Sequence, residues 1–176
     1  PFLKAHMLSL KGATILEAGK IPESLQFQFE ALEISEKNKD TLNVAFALNR
    51  IGNVYMELED YKKANEYYFL SKNLFQKIGD TGMFHNEVSN IGNVYELMKM
   101  PDSALHYQTI SYEGSKLTND RVNYTRPEIM FRMGNAYRLK GDKEKALEYY
   151  KKGIVESNID NDLRNLAMNN LFIAQL

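Results

Sequence analysis

The phrase IGNVY stands at residues 51–55 and again at 91–95, with a looser copy, MGNAY, at 133–137. Self-similarity at a fixed interval constrains a chain more than any composition can. Each copy is then one supersecondary unit, and its apolar face is buried only by stacking on the next copy. Aligned on the glycine, Gly12, Gly52, Gly92 and Gly134 fall 40, 40 and 42 residues apart. Ile15, Tyr55, Tyr95 and Tyr137 come three positions later. Twelve positions after the glycine stand Ser24, Ala64, Ala104 and Ala146, and sixteen after it Gln28, Tyr68, Gln108 and Tyr150.

Between these anchors the apolar residues recur at helical spacing. Leu48, Ile51, Val54, Tyr55 and Leu58 mark a helix within 41–58, and Ala64, Tyr67, Tyr68, Leu74 and Phe75 mark its partner within 61–78. The same reading predicts helices over 82–99, 102–117, 128–140 and 143–156. Gly19 and Gly141 suit the left-handed residue that ends a helix, and Pro22 and Pro101 suit a first turn. Asp40, Asp80, Asp120 and Asp160 read as helix N-caps opening successive units. The small residues at the glycine and alanine positions belong where two helices approach closely. The segment NDRVNYTRPE, which holds Pro127, predicts a longer or distorted loop. The closing MNNLFIAQL reads as the first helix of a further unit.

The pattern G-x2-Y, then a small residue, then an aromatic four later, resembles the tetratricopeptide repeat, whose signature is W-x2-L-G-x2-Y…A-x3-F. The resemblance covers essentially the whole chain and is closest in the second and fourth units. The tryptophan is missing throughout, and the period near 40 exceeds the family's usual ~34. It implies an all-α, right-handed α-solenoid of stacked antiparallel helix pairs. The units run over about 1–39, 40–79, 80–119 and 120–159, with 160–176 a truncated fifth. Such arrays with a period near 40 are similar to sensory regions placed ahead of kinase or DNA-binding output domains in bacterial signalling proteins. An oligomerisation scaffold is another role open to the fold.

Composition narrows the function classes. A net charge of −1 lacks the basic surplus of a nucleic-acid binder, so no nucleic acid is expected as partner. The absence of cysteine excludes a disulfide framework and a thiolate metal site. No apolar run approaches the ~20 residues of a membrane span, so this segment is expected to make no membrane contact. The histidines (His6, His85 and His106) form no ligand spacing, and no phosphate loop or nucleophile elbow is present. No cofactor and no catalysis are expected. The chain starts at Pro1 and ends on FIAQL, which suggests a fragment of a longer protein with further repeats or output domains, cytoplasmic or periplasmic.

Asparagines recur beside the glycine. Asn53, Asn93 and Asn135 follow it directly, and Asn49, Arg50, Asn90, Arg132 and Asn169 lie about a turn earlier in their helices. Asn86, Asn90 and Asn93 are spaced to share one helix face. In the tetratricopeptide family the first helix of each unit lines the concave groove, so the resemblance implies that this face points into it. A primary amide both donates and accepts, so repeated amides can hold an extended peptide backbone. Arg50, Arg132 and Arg138 would add carboxylate selectivity. The expected partner is a protein or peptide segment. A structural ladder of amides between units is the competing reading.

Overall fold

A computed structural model describes residues 2–117, 126–160 and 162–176. All regular structure among them is helical: α1 (Phe2–Glu17), α2 (Ile21–Lys37), α3 (Thr41–Glu57), α4 (Tyr61–Ile78), α5 (Thr81–Leu97), α6 (Pro101–Leu117), α7 (Arg126–Leu139), α8 (Lys143–Asp160) and α9 (Leu163–Ala174). The architecture is an all-α solenoid of antiparallel helix pairs. The chain divides into two compact halves, Pro1–Glu87 and Val88–Leu176.

The turns between helices are short because one residue ends a helix and the next begins another. Gly19, Gly79 and Gly141 take left-handed φ of 76°, 82° and 77°, and Lys39, Glu59 and Lys99 take 55–57°. The residue after each gives its N–H to a carbonyl five positions back, as in Asp40 to Ser35 at 2.9 Å and Asp60 to Tyr55 at 2.9 Å. This recovers a carbonyl that the helix end would leave orphaned. That same aspartate then caps the following helix: Asp40 Oδ1 accepts from Asn43 N at 3.1 Å and Asp60 Oδ1 from Lys63 N at 3.2 Å. Asp80 and Asp142 do likewise, at 2.9 Å to Met83 N and 3.0 Å to Lys145 N.

Two boundary expectations are corrected. Asp160 is the last residue of α8, and Asp162 caps α9 by accepting from Asn165 N at 3.0 Å. Pro127 lies in the first turn of α7 and is buried, because a proline at that position lacks only an N–H that would be unpaired anyway. Asp120 and the expected loop over 118–125 lie outside the described residues.

Within each pair the glycine of the first helix meets the side chain sixteen positions on. A Cβ at Gly52 would stand 2.6 Å from the Tyr68 ring and one at Gly92 2.5 Å from Gln108 Nε2. Gly12 over Gln28 and Gly134 over Tyr150 are closer still. Real carbons do not approach so near, so glycine is what allows these helices to touch. Ala64, Ala104 and Ala146 are buried beside the contact. The tyrosines three after the glycine stack on a tyrosine of the partner helix: Tyr55 on Tyr67 and Tyr95 on Tyr107 at 5.4 Å, Tyr137 on Tyr149 at 5.2 Å. Tyr68 and Tyr150 sit in the core, as their repeat position predicts.

Candidate functional site

The residue sixteen after the glycine comes in two kinds, and each kind recruits a different partner on the first helix. In the α3–α4 pair the Tyr68 hydroxyl donates to Asn53 Oδ1 at 2.7 Å, and in α7–α8 the Tyr150 hydroxyl donates to Asn135 Oδ1 at 2.7 Å. The acceptor is the asparagine directly after the glycine. In α1–α2 the buried Gln28 Nε2 donates to the Ser9 carbonyl at 2.9 Å while Ser9 Oγ donates to Gln28 Oε1 at 2.8 Å. Gln108 and Ser89 repeat this at 3.0 and 3.1 Å in α5–α6. Here the partner is the serine three before the glycine. A buried hydroxyl or amide costs free energy unless bonded, and each unit solves that within its own two helices. Two of the three repeated asparagines therefore act, through Oδ1, as core acceptors.

In the first half, Asn49 donates to Glu87 Oε1 at 2.7 Å, and Glu87 is fully buried and also accepts from Ser71 Oγ at 3.2 Å. Asn49 is thus held inside the packing. Arg50 gives Nη1 to Ser9 Oγ at 2.6 Å, and among the described residues no carboxylate pairs with it. Its half-burial pulls the guanidinium pKa down from its ordinary value. Asn53 Nδ2 has no partner among the described residues. Asn86 is half-buried, with Nδ2 3.8 Å from Met83 Sδ.

In the second half, Asn90 is half-buried and engaged by neighbours. The Asn93 amide meets no hydrogen-bonding partner among the described residues, because its unit has Gln108 where the others have tyrosine. Asn135 is buried and used on both sides: it accepts from Tyr150 and donates Nδ2 to Glu96 Oε1 at 2.8 Å. Arg132 bonds Glu128 through Nε and Nη2 and leaves Nη1 buried without a partner. Arg138 is exposed, its guanidinium 5.3 Å from the Phe172 ring centre. Burial lifts the Tyr150 pKa above 10.0, against a bond from Arg138 that lowers it. Asn169 departs from the expected open face. It is fully buried, lies where a Cβ on Gly153 would come within 2.5 Å of its Oδ1, and donates to the Asn165 carbonyl at 2.8 Å. The α8–α9 contact closes over it.

Glu96 was not anticipated. Burial raises its pKa above 4.5, opposed by the Arg132 charge and the Asn135 bond, and its Oε2 is buried without a partner. The sequence does carry a signal. Four residues after the glycine, the first two units have the apolar Leu16 and Met56, where the last two have Glu96 and Arg138.

Helix pairs registered on a glycine–aromatic or glycine–glutamine contact define a helical-repeat solenoid. The tetratricopeptide repeat family is matched over residues 127–157 and again over 47–68. Two segments of the chain, one in each half, thus carry the tetratricopeptide repeat pattern. The chain is similar to tetratricopeptide repeat protein 29 of Trypanosoma brucei brucei, 29% identical over 73% of this chain and 26% of the relative. Its fold matches aspartyl phosphate phosphatase F from Bacillus subtilis (TM-score 0.88, 16% identity, 96% of this chain and 44% of that one). It also matches the Rap conjugation gene regulator of plasmid pLS20 in complex with the Phr* peptide (TM-score 0.80, 16% identity, 97% and 46%). The chain thus spans about a quarter of the curated relative and less than half of these two structures.

Proposed function

We propose that the chain is a non-catalytic interaction module whose first-helix faces bind a peptide or protein segment. The observation that carries this reading is Arg50, a half-buried guanidinium with a single hydroxyl partner and no carboxylate beside it. Burying part of a cation without a counter-charge costs stability and is tolerated where something else supplies the anion. A peptide's acidic side chain or C-terminal carboxylate is such a group, and arginine binds it in a two-pronged geometry. Asn53 Nδ2 on the same helix adds a donor for the peptide backbone. The peptide-bound Rap regulator supports the class of ligand for this fold, though not its sequence.

Selection of a phage-displayed random-peptide library on the purified chain tests this. Enriched peptides should be acidic or depend on a free carboxylate. Arg50→Ala should weaken them by about tenfold or more, the usual worth of a hydrogen bond to a charged group, with a salt dependence that the variant loses. A library that yields no peptide above background, or peptides indifferent to Arg50→Ala, would overturn the proposal.

A further inference from the structure

The second half holds a pair of opposite charges that do not meet. Glu96 on α5 and Arg132 on α7 are near enough for the guanidinium to act on the carboxyl, yet they form no ion pair among the described residues. Each is anchored by one side. Glu96 Oε1 accepts from Asn135, and Arg132 Nε and Nη2 are spent on Glu128. Each keeps one buried atom without a partner: the acceptor Glu96 Oε2 and the donor Arg132 Nη1. Arg132 and Asn135 are three apart, so they share one face of α7, and Asn93 and Glu96 share one face of α5 in the same way. One turn back along the two helices from the Glu96–Asn135 bond stand Asn93 and Arg132.

We propose that Asn93, Glu96 and Arg132 line a subsite for an amide group, whose N–H is accepted by Glu96 Oε2 and whose C=O accepts from Arg132 Nη1. The charges select the ligand's class. A carboxylate would satisfy Arg132 but meet Glu96 with like charge, and an ammonium would do the reverse. A primary carboxamide is neutral and carries a donor and an acceptor side by side, so it satisfies both atoms at once, whereas a trans peptide group points its N–H and C=O in opposite directions. Asn93, whose own amide is unbonded, can take the ligand's second N–H or neighbouring carbonyl. The burial that raises the Glu96 pKa makes a donor to Oε2 more valuable, because hydrogen bonds to a desolvated carboxylate are among the stronger ones. The subsite rests on the peptide-binding reading for its biological ligand, the side-chain carboxamide of a glutamine or asparagine in the bound segment.

The test is a titration of the isotope-labelled chain, followed by two-dimensional NMR, with three blocked amino acids. N-acetylglutamine methylamide carries both kinds of amide, N-acetylalanine methylamide only the backbone kind, and N-acetylglutamate methylamide replaces the side-chain amide by a carboxylate. Saturable shifts confined to the neighbourhood of Asn93, Glu96, Arg132 and Asn135 are expected. Preference for the glutamine compound is the expected result, and equal shifts with all three would overturn the carboxamide assignment. Glu96→Gln keeps an acceptor for Asn135 but turns the free atom from acceptor to donor, so it should weaken binding about tenfold or more with the spectrum otherwise unchanged. No saturable shift at these residues, or the same affinity in Glu96→Gln, overturns the subsite and leaves the gap to water. Displayed peptides that bind but ignore Glu96→Gln would sink the subsite alone. A titrating blocked glutamine with no displayed peptide enriched would sink the broader reading alone.

Discussion

Replacing glutamine by tyrosine at the same repeat position should have unequal consequences in two units that look alike. Gln28 and Gln108 are both fully buried, both pressed on a glycine, and both bonded to a serine. Gln28→Tyr and Gln108→Tyr lose the same serine bonds and add the same ring volume, so those costs cancel in the comparison. What differs is the residue after the glycine. Asn93 stands ready to accept a hydroxyl as Asn53 and Asn135 do at 2.7 Å, whereas the first unit has Ala13 there. A buried hydroxyl left without an acceptor costs about 1–3 kcal/mol, so Gln28→Tyr should be the worse by about that amount. Because α1 is terminal and such arrays unfold unit by unit, the comparison needs an internal control. Ala13→Asn provides it. In the parent chain it should cost about 0.6 kcal/mol of helix propensity, and in Gln28→Tyr it should stabilise by about 0.5–2 kcal/mol. Urea titrations followed by circular dichroism, with hydrogen exchange on α1 and α2, would report all four chains. If Ala13→Asn has the same sign in both backgrounds, the hydroxyl–amide pairing is not what distinguishes the two kinds of unit.

Asn135→Ala should destabilise by about 1–3 kcal/mol, since it strands both the Tyr150 hydroxyl and Glu96, while Asn93→Ala should stay within about 0.5 kcal/mol. Equal thermal melts for the two would contradict the bonds described. Glu96 makes stability depend on pH. Its folded pKa lies above 4.5, so the native state keeps a proton that the unfolded chain releases, and stability falls as pH rises from 4.5 through the raised value. The stability of Glu96→Gln relative to the parent should therefore grow as pH rises from about 4.5; a difference in urea midpoints that stays flat would refute the raised pKa. Asp40→Ala removes an N-cap that also holds the Asn43 side chain, and should cost about 1 kcal/mol in the same titration, with fraying of the start of α3 by hydrogen exchange.

The period of the glycines and the helical spacing around them made the helix pairs legible, because burial of one face leaves an arithmetic trace in the sequence. Asp40 and Asp80 were legible as caps for the same reason. Asp162 was missed in favour of Asp160 because two aspartates two apart present the same cap chemistry, and only the length of α8 decides between them. Lys39, Glu59 and Lys99 gave no sign of their left-handed backbone, which the turn imposes on residues whose type does not ask for it. In the candidate site the asparagines were visible as a pattern, but their division of labour was not. Whether an amide faces a tyrosine, a glutamate or open space depends on the partner helix sixteen residues on and on the next unit about forty residues away. Asn169 shows the limit: the residue type matched, and the packing of α9 on Gly153 buried it.

Each choice between tyrosine–asparagine and glutamine–serine is settled between the two helices of a single pair. A recombination breakpoint that falls in the turn between pairs, such as those at Lys39 or Gly79, would hand over a donor and its acceptor together. One that falls in the turn at Glu59 or Lys99 would join the tyrosine helix α4 to the serine helix α5 and leave Ser89 without its glutamine. Gene segments of this kind can therefore be exchanged by whole pairs without separating these buried donors from their acceptors. The interval of that exchange is written into which residues share a hydrogen bond.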